Sequence, residues 1–342
     1  MSIELTKAEP FAAPLVESLS VRLLVDSFYD RFIEDAQHPF VKIEHVRHIA
    51  GHERSTFAGE WGLSLHLESA QAAGKSRYLL DFGYTPEVLI RNFELLDLDP
   101  SRIDGLILSH GHRDHYGGLD GFVTHYRARM RPDLRLFAGG EANFQEKWIK
   151  RRGAEPVSWG MLDLKTLEAA RIGTVCCEAP QALCGAFTTG HIPRQSFERV
   201  LENTLVEREE DTARSPDHFT EAERLGRLVP DQHPDDHATC YVIQGRGLVV
   251  ISSCGHVGLI NTIQAAMAVS GVGKLHAVLG GFHLGPAPLD YVDHTVLELE
   301  RLSPDVVIPM HCSGAKFLAA MHRQMPDSLV TANIGSRFTF GV

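Results

Sequence analysis

The chain has 342 residues, 44% hydrophobic and 23% charged, a balance that excludes a disordered polypeptide and allows one large α/β domain or two small ones. Its net charge of −11 argues against the clustered basic surface that nucleic acid or an anionic membrane would require, and points to small-molecule partners. No apolar run reaches the roughly 18 residues of a membrane span, and the start MSIELTKAEPFAAPLVESL lacks the positive and apolar regions of an export signal, so a cytoplasmic protein is expected.

In chain order, apolar runs predict strands over 20–27, 62–69, 77–83, 103–110, 134–139, 239–245, 247–254, 275–281 and 305–311. Their Val, Ile and Leu content is that of strands covered on both faces. Amphipathic patterns predict helices over 85–98, 259–270 and 290–302. The alternation points to an α/β protein whose sheets are covered by helices. Between about 141 and 235 the sequence turns charged and loses its long apolar runs, which predicts a solvated insertion or lid, or a flexible linker, within a single domain spanning 1–342.

Nineteen histidines are many for this length, and several directly follow apolar strands. Histidine is the commonest zinc ligand, so strand-end histidines call for a metal reading. His48, His52, His125, His218, His233 and His322 are expected to be ordinary surface-loop residues. The six cysteines are scattered and form no CxxC pair, so they are expected to be reduced thiols, with one or two of them near a metal.

The strongest signal is LILSHGHRDHYGGLDGF, an apolar strand that ends in His110-x-His112-x-Asp114-His115 and a Gly117-Gly118 turn. His110 and His112 project to one side of an extended segment and can bind one ion, while the turn carries Asp114 and His115 to a second. Two divalent ions about 3.5–4 Å apart hold a hydroxide at neutral pH and stabilise charge on an attacked oxygen.

This motif resembles, residue for residue, the signature of the metallo-β-lactamase superfamily. The resemblance implies an αββα sandwich, two mixed sheets covered by helices, with two metal ions at the edge between the sheets. It places Asp81 as the residue that orients the metal loop, His311 in VVIPMHCSG as a late ligand, and Cys254 in GLVVISSCGHVGLI at the position bearing Asp or Cys in relatives. His191 in FTTGHIPR and His256 both stand where the first ion's third histidine could lie. The choice falls on His256, because a narrower branch commonly carries Glu or Pro at the position of His191. Zinc suits thiolate and imidazole donors, and manganese or iron is also compatible.

That branch comprises the 7,8-dihydropterin-6-yl-methyl-4-(β-D-ribofuranosyl)aminobenzene 5′-phosphate synthases, also known simply as metal-dependent hydrolases. The chain resembles it through GLSLHLES, DFGYTPEVLIRN, TTGHIPRQSFE, DDHATCYVI, LGGFHL and PMHCSG, all in order, and departs from it at His191 and His237. The departures mean that the substrate need not be shared. His283 is expected to bind substrate or transfer a proton. Arg194, with His191, is expected to bind substrate, or else to pair with Glu198 at i+4.

The expected activity is hydrolysis of an ester, lactone or phosphodiester-type small molecule, with Asp114 both a ligand and a hydrogen-bond acceptor. Two alternatives stay open: a pterin-linked phosphoribosyl synthase-type enzyme of the same branch, and a metal-binding relative without catalysis. A flavodiiron-type redox role would need Glu at position 112, and an RNA nuclease would need a basic surface. The oligomeric state is open, and a homo-oligomer is compatible with the sequence.

Overall fold

A computed structural model describes residues 11–151, 153–201, 204–207 and 228–341. Within them, an eight-stranded mixed sheet runs Gly173–Cys176, Arg135–Ala138, Gly105–Leu108, Gly74–Leu80, Ser64–Gln71, Ser18–Val25, Arg337–Phe340, Lys42–Glu44. A seven-stranded sheet carries Gln181–Ala182, Phe187–Thr188, Thr239–Ile243, Gly247–Ser252, Leu275–Gly280 and Val306–Pro309 in that order, with Leu15–Val16 paired to Thr239–Ile243.

Alternate residues of the central strands face the space between the sheets. Leu23, Leu65, Leu80 and Ile107 from the first meet Tyr241, Val249, Leu279 and Ile308 from the second, all fully or almost fully buried. The other face of the second sheet is covered by the helices Leu259–Ser270, Leu289–Leu302 and Gly314–Gln324. The first sheet is covered by Pro86–Leu95 and Leu119–Tyr126. Burying both faces removes apolar area at about 25 cal/mol per Å², which explains the nearly uninterrupted apolar sequence of these strands. The layering is the αββα sandwich expected from the sequence.

Each sheet contributes a parallel core: Gly74–Leu80, Gly105–Leu108 and Arg135–Ala138 in one, and Gly247–Ser252, Leu275–Gly280 and Val306–Pro309 in the other. Ligands in α/β folds gather at the carboxyl ends of such strands. Here the chain leaves those ends through Asp81, Ser109–His115, Cys254–His256, His283 and His311.

The described part of the 141–235 region contains a small sheet in the order Leu228–Pro230, Leu205–Glu207, Lys147–Ile149, Val157–Gly160. The most charged stretch of that region, 208–227, lies outside the described residues, as does His218. Among the described residues, no helix is long and apolar enough to cross a membrane.

Candidate metal centre

The strand Gly105–Leu108 runs straight into Ser109, His110, Gly111 and His112, and then into the one-turn helix Arg113–Tyr116. The two glycines that follow are needed for close approach: a Cβ at Gly117 would sit 2.3 Å from Tyr84 O, and one at Gly118 2.1 Å from Phe82 O. His110 and His115 are completely buried, while His112 and Asp114 are nearly so.

Two donor sets form around this turn. His110, His112 and His256 bring ligand atoms within 4.8 Å of one another, with His110 Nε2 and His256 Nε2 3.2 Å apart. Asp114, His115 and His311 make the second, with His311 Nε2 3.3 Å and His115 Nε2 3.8 Å from Asp114 Oδ2. Cys254 Sγ lies 3.3 Å from His115 Nε2, at the edge of both sets. Bonds of about 2.0–2.1 Å in a tetrahedral site put neighbouring N or O donors about 3.3–3.4 Å apart. Two spacings, 3.2 and 3.3 Å, lie close to that geometry, the 3.8 Å spacing is wider, and Asp114 Oδ1 is buried without a hydrogen-bond partner. These residues therefore fit divalent-metal binding.

Surrounding groups fix the donors. Asp81, in a left-handed conformation at φ 56°, accepts from Ser109 N and Ser109 Oγ, both at 2.8 Å, and lies 2.7 Å from His115 Nδ1. Protonating His115 on Nδ1 leaves Nε2 as the donor atom, the usual arrangement for a ligating histidine. The backbone N–H of His311 donates to both carboxylate oxygens of buried Asp26, each at 3.2 Å.

Burial, reinforced by neighbouring imidazoles, lowers His110, His112 and His256 well below the ordinary histidine value, which leaves them in the neutral, ligating form. Burial would raise Asp114, but His115 and His311 outweigh it and hold the carboxylate low. Burial also opposes charge on His311, yet Cys312 and Asp114 raise it to about 9. A cation binding at His311 would displace that proton.

The sequence profile of the metallo-β-lactamase superfamily matches residues 71–253, more than half of the chain and including the His110–His115 motif. The chain belongs to the metallo-β-lactamase superfamily. It is 28% identical over 270 residues to a Methanocaldococcus jannaschii protein named 7,8-dihydropterin-6-methyl-4-(beta-D-ribofuranosyl)-aminobenzene-5'-phosphate synthase, covering 77% of this chain and 84% of that one. It is 25% identical to an uncharacterised protein of the same organism, MJ0448, covering 78% and 88%. Among solved structures, Tm1679, a metal-dependent hydrolase of the β-lactamase superfamily, superposes with a TM-score of 0.66 at 20% identity, covering 93% of this chain and 98% of that one.

Several residues are placed where the sequence did not put them. His233, expected to be a surface-loop histidine, is 1% exposed. Its ring stacks on His256 with centroids 4.1 Å apart, faces His112 at 4.9 Å, and has no hydrogen-bond partner on either nitrogen. It is held there by long-range pairing: buried Lys147 Nζ lies 2.8 Å from Asp231 Oδ2 and 3.8 Å from Asp235 Oδ2, and Asp235 Oδ2 accepts from Gly111 N at 2.8 Å. Asp231 and His233 also stand within ligand reach of His112. By contrast His48, His52, His125 and His322 are exposed.

His191 and Arg194 stand apart from the metal-binding superfamily motif. Both are exposed and line a cleft of about 720 Å³ that reaches the centre at Asp231. Arg194 donates to Gln232 Oε1 at 2.8 Å rather than pairing with Glu198, whose carboxylate accepts from Asn261 N and Ser196 Oγ. His283 reaches the centre itself, its ring 4.2 Å from that of His256. His237, the other position at which the chain departs from the branch it resembles, is buried with Nε2 2.9 Å from Leu108 O. Asp26 carries no signal in the sequence, while Cys312, which directly follows His311, lies beside Cys254 in keeping with the expectation that one or two cysteines stand near a metal.

Proposed function

We propose that the protein is a metal-dependent hydrolase acting on an ester, lactone or phosphodiester-type small molecule. The observation that carries this reading is the facing of two donor sets across one turn, His110 with His256 at 3.2 Å and Asp114 with His311 at 3.3 Å. A pair of divalent ions held there, zinc first and manganese or iron as alternatives, would supply Lewis acidity and ionised water at neutral pH.

The chain's own residues do the rest. Asp114 offers its unpaired Oδ1 to accept a hydrogen bond from an attacking water. His233, neutral because burial lowers it, presents ring nitrogens beside His112 and can accept a proton as a general base. Trp61, 55% exposed and 4.8 Å from the His311 ring, and Trp159, 5.1 Å from the His112 ring, border the centre with apolar surface. The cleft holding His191 and Arg194 gives a substrate room beyond the reacting atoms.

Metal analysis of protein purified without chelator tests this, followed by a panel of phosphodiesters, lactones and β-lactams with His112→Ala as control. Bound metal with turnover that collapses in the variant supports the reading, whereas unchanged turnover in His112→Ala removes it. The name of the Methanocaldococcus jannaschii relative adds to the same panel a ribofuranosyl-aminobenzene 5′-phosphate together with a dihydropterin carrying a leaving group on its 6-methyl carbon, as the test of a synthase-type reaction.

A further inference from the structure

Behind the two donor sets lies a cluster of softer character. Cys254 and Cys312 are buried free thiols whose Sγ atoms are 3.2 Å apart, and a ligand atom of His283 lies within 4.8 Å of both. His283 Nδ1 is buried and has no hydrogen-bond partner, while the His283 backbone N–H donates to Cys312 Sγ at 3.2 Å.

The backbone is shaped to bring these groups together. His283 and His311 both adopt left-handed conformations, at φ 46° and 49°, which a non-glycine residue holds only where the surroundings impose them. A Cβ at Gly281 would sit 2.1 Å from Ser253 O and 2.9 Å from Cys312 Sγ, so a larger residue there would push Cys312 off the cluster. Three segments from the ends of three parallel strands thus converge on one spot.

We propose that Cys254, Cys312 and His283 bind a further zinc-class ion, with the Cys254 thiolate bridging it to the neighbouring pair. Two sulfurs and one imidazole select zinc or another soft ion over magnesium, calcium or manganese. A tetrahedral zinc with Zn–S bonds near 2.3 Å holds its sulfurs about 3.8 Å apart, so the two Sγ atoms must separate by ~0.6 Å, within the reach of small side-chain rotations. Protons held on the two sulfurs pass to solvent on binding. His283 is then a ligand instead of the proton-transfer residue expected from its position. The proposal rests on the binuclear reading in one respect, that Cys254 borders both sets.

The test is metal stoichiometry of the full chain, purified with a phosphine reductant and without chelator, for wild type, Cys312→Ala, His283→Ala and His112→Ala. Circular dichroism of each variant confirms folding. Wild type is expected to bind about three zinc equivalents, and Cys312→Ala and His283→Ala each about one fewer. On cobalt substitution, the near-ultraviolet thiolate-to-cobalt band of Cys312→Ala should fall by about two thirds, since only the bond from Cys254 to the neighbouring pair remains of the three cobalt–sulfur bonds. Equal counts of two in wild type and both variants would overturn the inference and leave the binuclear reading standing. One equivalent in wild type, lost in Cys312→Ala and kept in His112→Ala, would overturn the binuclear reading and leave the inference standing.

Discussion

Asp81 Oδ2 lies 2.7 Å from His115 Nδ1, and this contact turns the opposite edge of the imidazole toward Asp114 and Cys254. The same carboxylate accepts from Ser109 on the metal loop, so one buried group sets both the loop and the ligand. Removing such an outer partner typically costs 10–100-fold in metal affinity. Asp81→Asn should weaken binding of one ion by about that factor and leave the other near its wild-type affinity, as read by competition with a chromophoric chelator. Unchanged affinities would show that packing alone holds His115.

Lys147 is fully buried between Asp231 and Asp235. Replacing it by Met would strand two carboxylates in the interior, and breaking a buried pair this way costs about 3–5 kcal/mol. Urea unfolding of Lys147→Met should show a loss of that order, with a lowered midpoint. A loss below about 1 kcal/mol would mean that water reaches these carboxylates.

His233→Gln keeps a polar group of similar size but removes the imidazole. Kcat/KM should fall on the order of 10²-fold with the metal count unchanged. Full activity in this variant would reduce His233 to a packing element against His256.

The metal-free protein should lose stability in acid. His110, His112 and His256 stay neutral in the fold but take up protons near pH 6.5 when it unfolds. Below that pH the unfolded chain binds more protons, so stability falls as pH falls. Asp236, which burial pushes up to about 7, acts in the opposite sense together with Asp26, Asp120 and Glu198, which burial also raises. His45, His66, His233, His237 and His276 are lowered as well, so the imidazoles outnumber the carboxyls. His311, raised to about 9, adds stability that is complete below pH 6.5 and lost as pH rises through 9. The melting temperature of chelated protein should therefore be lower at pH 5 than at pH 6.5. Equal values at the two would show those imidazoles to be open to solvent.

The part of the centre that could be read from sequence is the part that is local. His110, His112, Asp114 and His115 lie within six residues behind an apolar strand, so spacing alone announced them. Most central strands and the helices Leu259–Ser270 and Leu289–Leu302 likewise carry their period in their own residues. His233 gave no such signal: it sits in PDQHPDD, a stretch of turn formers, and its burial depends on Lys147, more than eighty residues earlier in the chain. The edge strand Lys42–Glu44 and its neighbour Arg337–Phe340 carry no signal for a similar reason, being short and defined by pairing with each other and with Ser18–Val25. The helix Gly314–Gln324 escaped notice because it starts from a left-handed glycine.

The donors are divided between two halves of the sandwich. His110, His112, Asp114 and His115 leave the eight-stranded sheet, whereas Cys254, His256, His283 and His311 leave the seven-stranded one. Bound cations would act as clasps across the seam between the layers, so that prying the layers apart and releasing the ions become a single event. Metal retention is then a direct gauge of how firmly the two layers stay docked, even for a substitution far from any ligand.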